Sequence, residues 1–95
     1  MTLYMVIEKF RPGMKDVVYE RYAARGRMLP EGLEYVRSWV EEGGERCFQL
    51  MRTGERELLL QWCSRWEDIV EFELVPVNVS PTIQGTAAPD AEHGL

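Results

Sequence analysis

The chain has a single histidine, His93, and it stands among the last three residues. A histidine there is badly placed for general acid–base work or for haem ligation. The two cysteines, Cys47 and Cys63, form no CxxC pair, and no Cys/His cluster has zinc spacing. Each lies in an apolar segment, where a free thiol acts as a small buried hydrophobe, the alternative being a disulfide or redox couple. Ser38, Ser64 and Ser80 have no histidine base among the first eighty residues, which excludes a serine triad. Neither a Gly-rich phosphate loop nor a dinucleotide fingerprint occurs. The expectation is a protein that uses no metal and no cofactor.

Basic excess is absent as well. The net charge is −5, and Arg21, Arg25, Arg27 and Arg37 are interleaved with Glu20, Glu31, Glu34 and Glu41. Neither a nucleic acid nor an anionic membrane surface finds a basic face here. No apolar run approaches the length of a membrane span. Met1-Thr2-Leu3 leads into a strand without a basic region or a cleavage site, so the reading is no export signal and a cytoplasmic protein with reduced thiols.

What the chain does have is apolar residues in a definite order. Hydrophobic residues make up 45% of it and aromatic residues 11%, which marks a globular domain. Ninety-five residues make one domain. A chain that small buries only about 60% of its unfolded surface, so its core is thin. Leu3–Phe10 reads as a strand, Met14–Arg25 as a helix, and Leu33–Glu41 with Arg46–Arg52 as a hairpin turning on Gly43-Gly44. Glu55–Trp66 repeats Leu58, Leu59, Trp62, Cys63 and Trp66 at helical spacing, with Thr53 as its expected N-cap. Val70–Val79 is the last strand, and Pro76 places it at an edge because proline cannot donate to a ladder. The order is βαββαβ, the split unit of the ferredoxin-like α+β sandwich with a four-stranded antiparallel sheet. Residues 1–80 form this domain, and 81–95, small, polar and Pro-containing, read as a tail with little structure of its own.

The first strand carries Leu3, Met5 and Ile7 on one face and Tyr4, Val6 and Phe10 on the other. Both faces are apolar, yet two helices cover only one side of a sheet. A second copy of the chain is the simplest cover for the other, so a homodimer is expected.

Candidate functional residues each admit a structural reading. Trp62 and Trp66 lie one helical turn apart. With Tyr35 and Trp39 from the hairpin they would line an aromatic ligand pocket, or simply pack the core. Gln49, mid-strand among apolar neighbours, would fix a ligand carbonyl or make a structural hydrogen bond. Glu8, on a central strand, would be a desolvated general base or a solvated strand end paired with an arginine. Arg25 and Arg27 would hold an anionic ligand or compensate the negative end of the helix before them.

The run Gly26-Arg27-Met28-Leu29-Pro30-Glu31-Gly32-Leu33-Glu34-Tyr35-Val36-Arg37-Ser38-Trp39-Val40 resembles a bacterial domain-of-unknown-function family. The resemblance continues through Cys47-Phe48-Gln49-Leu50-Met51 and Trp62-Cys63-Ser64-Arg65-Trp66 to Asp68–Pro76, nearly all of residues 1–80. That family looks like part of the dimeric α+β barrel superfamily, in which two ferredoxin-like units set their sheets face to face. The superfamily includes cofactor-free monooxygenases, lactone isomerases, haem-binding enzymes and small-molecule sensors. The resemblance implies fold and pairing, and no catalytic residues. Without a histidine in residues 1–80, this chain departs from the members that depend on one.

Three functions follow as expectations. The first is binding of a small aromatic or conjugated ligand, with Arg27, Tyr35, Trp39, Gln49, Trp62 and Trp66 around it. The second is a cofactor-independent oxygenase or isomerase using the same pocket. The third is an interaction module with a filled core and no ligand.

Overall fold

The structure, a computed structural model, describes residues 1–79. The expected tail, with His93, lies outside the described residues. The elements are β1 (Thr2–Phe10), α1 (Lys15–Arg25), β2 (Leu33–Val40), β3 (Arg46–Thr53), α2 (Arg56–Ser64) and β4 (Val70–Val77). They build one antiparallel sheet in the order β2-β3-β1-β4, with β1 and β3 central, the ferredoxin-like α+β arrangement. Pro76 falls on β4, an edge strand, where its missing N–H costs no central ladder bond.

The two faces of the sheet differ. Tyr4, Val6 and Glu8 of β1 and Gln49, Met51 and Thr53 of β3 point into the helical layer and are buried. Val18 of α1 and Leu59, Trp62 and Cys63 of α2 pack down onto them, with Trp66, Ile69 and Val70 closing one end. Leu3, Met5 and Ile7 of β1, Phe48 and Leu50 of β3, and Val75 and Val77 of β4 share the opposite face, which no helix covers and where they are only half-buried.

Element ends shift from the sequence reading by one or two residues, β4 for instance ending at Val77 rather than Val79, and around α2 the cause is visible. Helix α2 stops at Ser64, before Trp66, because its last turn tightens: Arg65 and Trp66 donate their N–H groups to Trp62 and Cys63. Thr53 is not the N-cap. It closes β3, and its hydroxyl accepts the N–H of Glu55, the residue that does precede the helix. Gly26 ends α1 at φ 66°, with its N–H on the carbonyl of Tyr22.

One irregularity shapes the inner face of the sheet. Along β2 the pairing shifts between Tyr35 and Arg37, so that Tyr35 faces Met51 while Arg37 already faces Leu50. This bulge at Val36 reverses which side chains point inward from there on. Leu33 and Tyr35 face the helices before it, and Ser38 and Val40 after it. Trp39 pairs with Phe48 on the uncovered face.

Candidate functional site

Glu8, Gln49 and Arg27 form a hydrogen-bonded chain across the inner face of the sheet. Val6 of β1 stands opposite Gln49 of β3, and Glu8 lies one inward position further along β1. Their side chains therefore meet under the helices. Gln49 donates from Nε2 to Glu8 Oε2 at 2.5 Å and accepts from Arg27 Nε at 2.9 Å on Oε1. These two contacts fix which way the amide points. Glu8 and Gln49 are only 7% and 6% exposed. Gln49 thus has both ends occupied, and Glu8 is neither solvated nor bonded directly to an arginine.

Burial sets the chemistry of Glu8. Removing a carboxylate from water favours the neutral acid, and this pushes Glu8 from 4.5 to about 7 against the hydrogen bond from Gln49 and the charge of Arg27. Among the described residues Oε1 has no hydrogen-bond partner, and no buried side-chain nitrogen or oxygen is left unpaired. Oε1 is therefore the oxygen that Glu8 turns toward open space.

Arg27 is held in place from both sides. The turn after α1 passes through two left-handed residues, Gly26 at φ 66° and Met28 at φ 60°. For Met28 such a φ is unfavourable and must be held by its surroundings. Two indole N–H groups do so: Trp62 Nε1 and Trp66 Nε1 donate to the one carbonyl of Arg27, at 2.8 and 3.1 Å. Arg65 adds a bond to the Met28 carbonyl at 2.6 Å. The guanidinium lies over the Tyr35 ring, 3.7 Å from its centroid. It also donates to Tyr22 Oη at 3.3 Å and, at 3.5 Å, to Ser38 Oγ, which in turn meets Tyr35 Oη at 2.7 Å.

These side chains border a cavity of about 170 Å³ between sheet and helices. Glu8, Arg27, Ser38 and Gln49 supply its polar wall, and Phe10, Val18, Tyr19, Tyr22, Trp62 and Trp66 most of the rest. Cys47, the register partner of Glu8, also lines it; burial pushes its thiol up to about 11, so it stays protonated at neutral pH.

Of the residues singled out from sequence, Arg27, Gln49, Trp62 and Trp66 border one cavity, with Glu8 beside them. Tyr35 stands behind the guanidinium as its stacking platform. Trp39 does not join them: the bulge turns it to the other face, 43% exposed, with Arg37 over its ring. The aromatic wall comes instead from Tyr22 and Tyr19 of α1 and from Phe10. Tyr22 carried a signal, its spacing from Val18 on one helical stripe. Ser38 carried none, because only the bulge turns it inward. Trp62 and Trp66 are core residues, 1% and 6% exposed, and both also border the cavity.

Among the described residues no cluster of histidine, cysteine, aspartate and glutamate is arranged to hold a metal ion, and no helix is long and apolar enough to cross a membrane. No curated protein matches the sequence. The family model described as a domain of unknown function (DUF3303) matches residues 2–89, and the chain belongs to that family.

Proposed function

We propose that this protein is a cytoplasmic homodimer that binds a small aromatic or conjugated ligand in the cavity of each subunit, without metal or cofactor. The observation that carries this reading is the cavity itself: aromatic walls, with one short polar chain, Glu8–Gln49–Arg27, on its floor. Small-molecule sites are built this way, mostly apolar with a few placed polar groups. The size is suitable, since an apolar cavity of about 150 Å³ accepts benzene, and this one is about 170 Å³. The cavity supports this reading over a pure interaction module, which would have no such space beside its core. Pairing is supported by the uncovered sheet face, where Leu3, Met5, Ile7, Phe48 and Leu50 are flanked by the exposed Trp39. A two-fold contact there presents the same surface from both copies and would bury more than about 1,000 Å² in total.

The test is a thermal-shift screen of aromatic acids, phenols, quinols and lactones, with and without a chelator. A ligand at about 100 times its dissociation constant adds about 2.7 kcal/mol of stability. Hits that persist in chelator and vanish in Gln49→Leu support the reading; a screen without hits argues for the interaction module.

A second reading, a cofactor-independent isomerase or oxygenase, is favoured by one feature. Glu8 combines a pKa of about 7 with an unpaired oxygen, the properties of a general base working at neutral pH.

A further inference from the structure

Arg27 differs from the four arginines that form surface ion pairs, and from Arg25, Arg37 and Arg56, which are unpaired among the described residues but exposed. Arg11, Arg21, Arg46 and Arg52 each pair with a carboxylate. Arg27 is half-buried, and among the described residues it makes no ion pair: its three hydrogen bonds all go to neutral oxygens. A guanidinium has five N–H donors, so two remain for a ligand. A half-buried cation that no carboxylate of the described residues touches directly, stacked on a ring and pinned through its own carbonyl by two tryptophans, is a preorganised seat for a negative oxygen. Across the width of one amide lies Glu8, whose Oε2 accepts from that amide and whose Oε1 is unpaired among the described residues. An acceptor for a proton and a cation for the charge left behind thus share one wall of a cavity with room for a single six-membered ring.

We propose that the ligand is a monocyclic phenol, or an enol of the same size, bound as its oxyanion on Arg27 with its proton transferred to Glu8. This rests on the cavity being a ligand site, as proposed above. In the step, the ligand O–H bond breaks and its proton bonds to Glu8 Oε1. The electron pair stays on the ligand oxygen, facing the guanidinium. Nothing is oxidised or reduced, and no co-reactant is needed. Of the other groups facing Glu8, Gln49 on β3 and Phe72, its register partner on β4, do not titrate. Cys47 on β3 and Cys63 on α2 are thiols pushed up to about 11 and about 12. Tyr19 and Tyr22 on α1, with Arg27, complete the titratable and charged set around the cavity.

The probe is 4-nitrophenol, whose phenolate absorbs in the visible, compared with nitrobenzene, the same ring without the acidic oxygen. In the wild-type protein, bound nitrophenol should be ionised at a pH where the free probe is neutral. Its affinity should peak near pH 7. Below the peak, binding an oxyanion beside an already protonated Glu8 releases a proton; above it, binding takes one up. Affinity should therefore fall about tenfold per pH unit on either side. Glu8→Gln has no proton to take up, so its affinity should rise with pH to a plateau and not fall. Arg27→Met should bind nitrophenol at least about tenfold more weakly and in its neutral form. If Arg27→Met fails to fold, the contrast between wild type and Glu8→Gln still decides. Nitrophenol bound in its neutral form, no tighter than nitrobenzene, overturns the oxyanion proposal and leaves the cavity reading standing. Identical pH profiles for wild type and Glu8→Gln overturn the role of Glu8. Failure of both rings to bind overturns the proposal and the binding reading together.

Discussion

Replacing Glu8 with glutamine should make the protein more stable, by an amount that depends on pH. The folded carboxyl holds its proton up to about pH 7, and the unfolded one only to about 4.5. Between these values the folded state carries more protons than the unfolded state, so stability falls as pH rises through the window. At about 1.4 kcal/mol per pKa unit, the buried carboxyl costs the wild-type fold about 3 kcal/mol above pH 7 and nothing below pH 4.5. Glutamine has nearly the same shape, accepts the same hydrogen bond from Gln49 and does not ionise. The advantage of Glu8→Gln should therefore grow from near zero at pH 4.5 to about 3 kcal/mol at pH 8. In a domain of this size, that corresponds to roughly 10–25 °C in thermal midpoint. Other carboxylates do not blur the comparison. Hydrogen bonds from Arg52, Arg46 and Arg21 hold Glu34, Glu41 and Asp68 below their usual range, so these groups act on stability at lower pH and equally in both proteins. The assay is a series of thermal melts of the two proteins from pH 4.5 to 8. Parallel midpoint-against-pH curves would refute the reasoning, for they would mean that Glu8 is solvated or that water reaches it freely.

Trp66→Ala should cost about 3–5 kcal/mol, because Trp66 is 6% exposed and supplies one of the two indole bonds to the Arg27 carbonyl; a variant that keeps its midpoint by calorimetry would show that the indole is dispensable. Ile7→Glu puts a charge in the middle of the uncovered sheet face without touching the helical layer, so it should leave the fold intact by circular dichroism and shift sedimentation from dimer to monomer; an unchanged dimer would place the contact elsewhere.

The element order, the hairpin, the edge position of Pro76 and the two-faced first strand were all legible in the sequence. Period-two and period-3.6 patterns are local, and proline and glycine punctuate them by rules that need no tertiary contact. Trp62 and Trp66 were legible as a pair for the same reason, being one turn apart on a helix. Thr53 misled because a threonine ahead of two glutamates looks like a cap, whereas the ladder bonds of β3 extend through it. Trp39 misled more seriously. In an unbroken strand it shares a face with Tyr35; a single bulge at Val36, stored in no nearby glycine or proline, sends it to the opposite face and brings Ser38 in.

The layers of this protein are written in its sequence: which residues form strands and helices, which sides of them are apolar, and that the first strand is apolar on both faces while two helices cover only one side of the sheet. That Glu8, Gln49 and Arg27 meet is a product of the folded sheet. They come from two strands and a turn, in register only once the sheet has paired, and no spacing along the chain records that an amide will orient between a carboxyl and a guanidinium. The raised pKa of Glu8 is tertiary too, since desolvation depends on what the helices exclude from its surroundings and not on its neighbours in sequence.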